Sequence, residues 1–213
     1  MPARMATRRR PLSADRIVVA ALRIVDRRGL DALTMRGVGE ALGYEAMSLY
    51  KHVPGKQALL DLVIERVASE MRPPDASASW DDQLRQLAAE WRRIALAHPH
   101  VFPLLATGPP PSPAALLPII EATLAALRGP AVDDQSATSL FWAFLAYTTG
   151  ALMAECAATI SNGTLSRSDP AAVDARQFPH LAALGPALAA PHFATEYERG
   201  LEMFIASAAG GAR

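Results

Sequence analysis

From Ser13 onward, apolar residues recur three and four positions apart, the spacing of one helix face. Ile17, Ala21, Ile24 and Val25 mark a first helix, with Ser13 as its cap, Asp15 in the first turn and Gly29 at its end. Thr34 caps a short second helix through Leu42, which Gly43 stops. A third short helix covers roughly residues 45–52. After Pro54-Gly55, Lys56 opens a fourth through about Met71, with Leu59, Leu60, Val63, Ile64 and Val67 apolar. Pro73-Pro74-Asp75-Ala76-Ser77 is a linker by composition. Ser79 with Asp82 has the form of a capping box with Asp in place of Glu. Trp80, Leu84, Leu87, Trp91 and Ile94 then repeat at helical spacing up to Pro99. A short apolar helix follows over 100–106.

Pro109-Pro110-Pro111 breaks the chain, Ser112 and Pro113 suit a helix start, and that helix runs to about Leu127 before Gly129-Pro130. The longest candidate is 134–160. Asn162-Gly163 reads as a turn, 164–177 as a polar loop, and Pro179, Pro186 and Pro191 as breaks. A last helix spans 192–208. No segment alternates with period two, so the fold class is all-α, with three short helices in a head over 1–58 and longer helices in a body over 59–213.

Composition adds limits. The chain has 213 residues, 51% apolar, with 43 Ala, 19 Arg and two Lys, and suits a helical protein with a sizeable core. One cysteine, Cys156, rules out an internal disulfide framework and a cysteine-based zinc site. No unbroken apolar run reaches membrane-spanning length, and no apolar stretch follows the basic N-terminus, so a soluble cytoplasmic protein with no membrane partner is expected. The net charge is zero, but residues 1–56 carry eleven basic and five acidic groups and the remainder ten basic and sixteen acidic. A head of +6 on a body of −6 fits a polyanion-binding head. An arginine-rich arm (Arg4, Arg8, Arg9, Arg10) supplies part of that charge.

Two short helices around Gly43 fit a helix-turn-helix, whose second helix enters the major groove of DNA. Arg36 lies near the start of the first; Ser48, Tyr50, Lys51 and His52 lie on the second; and Lys56 opens the next. Lysine beside the free amides of a helix start is a phosphate clamp. Tyr50 and His52 also suit packing in a small bundle, and spacing alone leaves both readings open.

The stretch LTMRGVGEALGYEAMSLYKHVPGKQALLDLV, residues 33–63, resembles the DNA-binding head of the tetracycline-repressor (TetR) family. Leu33, Thr34, Arg36, Val38, Ala41, Leu42, Gly43, Leu49, Tyr50, His52, Val53, Lys56, Leu59 and Leu60 fit its pattern, and SWDDQL after the linker resembles the tetracycline-repressor branch. The resemblance implies DNA contacts by Thr34 and Arg36, sequence preference from Ala46, Met47 and Ser48, and phosphate contacts by Tyr50, Lys51, His52 and Lys56. Gly37 and Gly39 depart from it, each costing about 1 kcal/mol against Ala inside a helix. Ala46 offers no hydrogen bond and would read a thymine methyl.

In the body, the 134–160 helix is apolar nearly all round, as befits burial on both sides. The resemblance implies that it and the last helix build a homodimer interface, for which Phe141, Leu145, Leu152, Tyr197, Leu201 and Phe204 are the candidates, matched to a palindromic operator in double-stranded DNA. It also implies a small-molecule effector pocket, for which Trp91, Phe102, Leu105, Ile120, Phe144 and Tyr147 are candidates. In tetracycline repressors proper a histidine before an LGTRP-like turn binds the drug's magnesium. Leu104–Pro109 here has none, and His98 and His100 point apart on a helix, so no metal or other cofactor is expected. The expected function is a ligand-released repressor. A constitutive dimeric DNA-binding protein is the alternative. A helical-bundle enzyme is disfavoured, since GxSxG, HExxH and GxxxxGK[ST] motifs are missing.

Overall fold

The computed structural model describes residues 11–108, 113–131, 133–161, 174–189 and 192–210, and these are helical without a strand. The arginine arm, the Pro109–Pro111 break, the Ser112 cap, the Asn162-Gly163 turn, most of the 164–177 loop and Pro191 lie outside the described residues. The chain divides into two compact units, the first ending at Val67 and the second beginning at Ala68. Position 58 lies inside a continuous helix, α4 (Lys56–Ala68).

The first unit is α1 (Ala14–Arg28), a 3₁₀ turn (Leu30–Ala32), α2 (Met35–Leu42), α3 (Ala46–Leu49) and α4. Ser13 and Thr34 cap α1 and α2 by accepting the amides of Arg16 and Gly37. Ile17, Ala21, Val25, Leu33, Val38, Leu49, Val53, Leu59 and Val63 are fully buried. Helix α3 is shorter than its 45–52 expectation. The amides of His52 and Val53 both turn back to the Leu49 carbonyl at 2.9 Å, and Pro54 disfavours helix at the residue before it.

The second unit contains α5 (Trp80–Ala97), α6 (Phe102–Thr107), a 3₁₀ turn (Ala114–Leu116), α7 (Leu117–Arg128), α8 (Asp134–Ile160), α9 (Pro179–Ala189) and α10 (Phe193–Gly210). Helices α5, α7 and α8 pack on one another, and α10 packs on α8 and α5. Three expectations need correction. Ser79 precedes α5, but its hydroxyl makes no capping bond to the helix amides; Asp82 pairs with Arg85 at 2.9 Å instead. Helix α9 runs through position 186, where a proline removes one amide from the ladder without ending the helix. Helix α8 is long and apolar enough, by length and composition, to cross a membrane. It packs on α5, α7 and α10, and its buried Glu155 pairs with Arg92 of α5, Nε to Oε2 at 2.9 Å and Nη2 to Oε1 at 2.6 Å.

Candidate nucleic-acid interface and ligand cavity

The turn between α2 and α3 depends on two glycines. Gly43 takes φ 74°, the left-handed conformation that ends α2, and its amide returns to the Glu40 carbonyl at 3.1 Å. Gly39 is buried in α2 where a Cβ would lie 2.7 Å from the Tyr44 carbonyl oxygen. Its helix penalty is therefore the condition for the turn to close onto α2.

Beyond that turn the side chains face water. Met47 is 72% exposed, the Ala46 and Ser48 side chains beside it are half-buried, and Tyr50, Lys51, His52 and Lys56 are exposed. Lys51 and His52 lie in the turn after α3 rather than on the helix. This follows from the burial of Leu49 and Val53, which turn inward and leave the residues between them outside. Thr34 spends its hydroxyl oxygen on the Gly37 amide at 3.0 Å, so its first role is the cap. Arg36 is exposed and paired with Glu40, Nε to Oε1 at 2.9 Å. Such an exposed pair is worth under about 1 kcal/mol, weak enough for a phosphate to displace it.

The second unit holds a cavity of about 470 Å³ between α5, α6, α7 and α8. Of the residues expected there, Trp91, Leu105, Ile120 and Phe144 line it. Phe102 does not; it is fully buried beneath, packed edge-on against Trp91 with ring centroids 6.3 Å apart. Tyr147 does not either. It turns toward α10, stacks on Tyr197 and donates its hydroxyl to the Tyr197 carbonyl. Phe141 and Leu145, expected at a dimer interface, line the cavity instead, joined by Trp142, Thr107 and Thr123. Phe141, Trp142 and Leu145 were hidden from periodicity because α8 is apolar nearly all round, so no stripe on it marks the cavity side.

The other expected interface residues are also placed differently. Leu152, Tyr197 and Leu201 are buried inside their own chain, where Tyr197 donates its hydroxyl to the Ala88 carbonyl at 2.9 Å. Phe204 is half-buried against Phe144. The outward face of α8 includes Trp142, Ala146, Gly150, Ala154, Ala157 and Ile160, and that of α10 includes Met203 and Ala206. Trp142 and Met203 are 61% and 68% exposed. Among the described residues no cluster of His, Cys, Asp and Glu could hold a metal ion. His98 closes α5 and meets Glu70, Nε2 to Oε2 at 3.2 Å.

Burial pushes the Cys156 thiol up to about 11, and the Glu155 carboxylate adds to the shift. The Arg93 guanidinium holds the Glu90 carboxyl below its ordinary value against the opposing effect of burial.

Residues 17–63 match the model of bacterial regulatory proteins of the tetR family, and residues 72–208 match the tetracyclin repressor-like C-terminal domain. An HTH-type transcriptional regulator of Saccharopolyspora erythraea is 41% identical over 106 residues, 49% of this chain and 45% of that protein. The HTH-type transcriptional repressor DrrR1 of Streptomyces coeruleorubidus is 34% identical over 142 residues, 66% of this chain and 52% of that protein. These alignments span about half the length of each relative. The TetR family protein ActR of Streptomyces coelicolor, in complex with actinorhodin, superposes with a TM-score of 0.79 at 30% identity, covering 95% of this chain and 99% of that one. The two family models together take in the helix-turn-helix and the helical body behind it, and the chain belongs to the TetR family of transcriptional regulators.

Proposed function

We propose that the chain is a cytoplasmic repressor that binds a palindromic operator in double-stranded DNA as a homodimer and is released by an apolar small molecule. It acts by binding rather than by catalysis. The observation that carries the reading is the run Met47, Tyr50, Lys51, His52 and Lys56, which faces water on and just after a capped, glycine-closed helix-turn-helix. Lys51, His52, Tyr50 and Lys56 hold phosphates, Arg36 exchanges Glu40 for the duplex, and Ala46, Met47 and Ser48 meet base edges. Thr34 supports them by fixing the start of α2.

The homodimer uses the outward face of α8 and α10, with Ala146, Gly150, Ile160 and Met203 in place of the residues buried within the chain or lining the cavity. Its support is the exposure of large apolar side chains on these two helices, Ile160 at 45% and Met203 at 68%. The effector occupies the α5–α8 cavity. ActR, of the same family, is known in complex with actinorhodin, so a small organic molecule is the natural class of occupant here. Selection of bound duplexes from a random library by the full chain tests the DNA side. An inverted repeat is expected, with half-sites about one helical turn apart; enrichment of no sequence, or of a lone half-site, contradicts it.

A further inference from the structure

Resting on that reading of the cavity, we infer that its occupant is an uncharged aromatic compound whose hydroxyl or N–H groups donate to Thr107 and Thr123. None of the described lining residues carries a charge, so a carboxylate or ammonium entering this space leaves its solvation without a partner. Trp91, Phe141, Trp142 and Phe144 give it an aromatic wall, which favours a flat ring system of matching faces and edges.

The polar selectivity follows from where the threonine protons go. Thr107 donates its hydroxyl to the Pro103 carbonyl and Thr123 to the Ile119 carbonyl, each at 2.7 Å. A hydroxyl has one proton and two lone pairs, so both groups present only acceptor capacity to the cavity. A ligand donor facing them completes a hydrogen bond. A ligand ether or carbonyl facing them sets oxygen against oxygen and loses its water. Trp91 and Trp142 are the other described lining residues whose side chains carry a polar group.

Three probes of one ring system separate the contributions: 2-naphthol, 2-methoxynaphthalene and 2-naphthoate, titrated by calorimetry into the full chain. Hydrophobicity alone ranks the methyl ether first. The donor reading instead makes 2-naphthol at least about fivefold tighter than the ether, the weight of one net hydrogen bond, with the naphthoate weakest. Thr123→Val or Thr107→Val should erase the naphthol preference, while the matching Ser variants retain it. Thr107 is exposed, so its Val variant leaves folding untouched even where Thr123→Val does not. An ether as tight as the naphthol, or a preference that survives both Val variants, overturns the donor inference while leaving the cavity a ligand site. No binding of any probe at millimolar concentration overturns the cavity reading and the inference with it.

Discussion

Tyr147 of α8 and Tyr197 of α10 lie ring on ring, with centroids 5.8 Å apart and planes 6° from parallel, while the Tyr147 hydroxyl donates to the Tyr197 carbonyl at 2.5 Å. The Tyr197 hydroxyl in turn reaches the Ala88 carbonyl of α5. The two rings therefore tie three helices together. Tyr147→Phe should lower stability by about 1 kcal/mol, a drop of about 2–4 °C in Tm, and leave ligand affinity unchanged. Loss of ligand affinity with unaltered Tm would return Tyr147 to the cavity.

The Arg92–Glu155 pair ties α5 directly to α8. Glu155 is 8% exposed, so a variant that removes it strands a half-buried guanidinium. Glu155→Ala should destabilise by about 2–3 kcal/mol, toward the lower end for buried pairs because Arg92 keeps some access to water. Chemical denaturation of the variant checks this.

Acid should act through Glu90. Its carboxyl is held below the ordinary value by Arg93, so the folded state binds its proton less readily than the unfolded chain does. The pair's contribution is complete above the unfolded value near 4.3 and is lost as the pH falls through the lower folded value. Between about pH 5 and 3 the Tm of Glu90→Gln should fall less steeply than that of the parent. Parallel slopes would contradict the assignment.

Cys156 should be silent toward alkylating reagents. With its thiol pushed up to about 11, only about one molecule in a thousand is thiolate at pH 8, and the side chain is buried against the Ala95 carbonyl. Iodoacetamide labelling, followed by mass, should be negligible in the folded chain and rapid in denaturant.

The dimer proposal separates two classes of variant. Met203→Arg and Ala146→Arg put charge on outward faces and should yield folded monomers that bind the operator weakly. Leu201→Arg puts the same charge into the chain's own core and should unfold it. Sedimentation with circular dichroism distinguishes these outcomes. A folded, dimeric Met203→Arg variant that binds a palindrome as the parent does contradicts the proposed interface.

The helices were legible where local chemistry marks their ends. Ser13, Thr34, Gly29 and Gly43 act through their own backbone or a neighbour three residues away, so their effect is written in adjacent letters. The same holds for α8, whose observed span is the expected 134–160. Facing was legible for α1, where polar residues outline the apolar stripe. It was not legible for α8, where Phe141, Phe144, Leu145 and Tyr147 follow one another with no polar boundary. Their division among cavity, core and the α10 clamp is set by helices distant in sequence. Gly39 shows the same limit: its penalty is local, and its reason, the approach of the Tyr44 carbonyl, is tertiary.

Control of the head by the body is read by linkage on one sample. The affinity of the full chain for its selected inverted repeat is determined at fixed salt, with and without a saturating cavity ligand, alongside the ligand affinity with and without the duplex. Ligand should weaken operator binding by about 5- to 150-fold, and the duplex should weaken ligand binding by the same factor. Operator affinity that is unchanged while the cavity is occupied would contradict it and leave a constitutive DNA-binding protein.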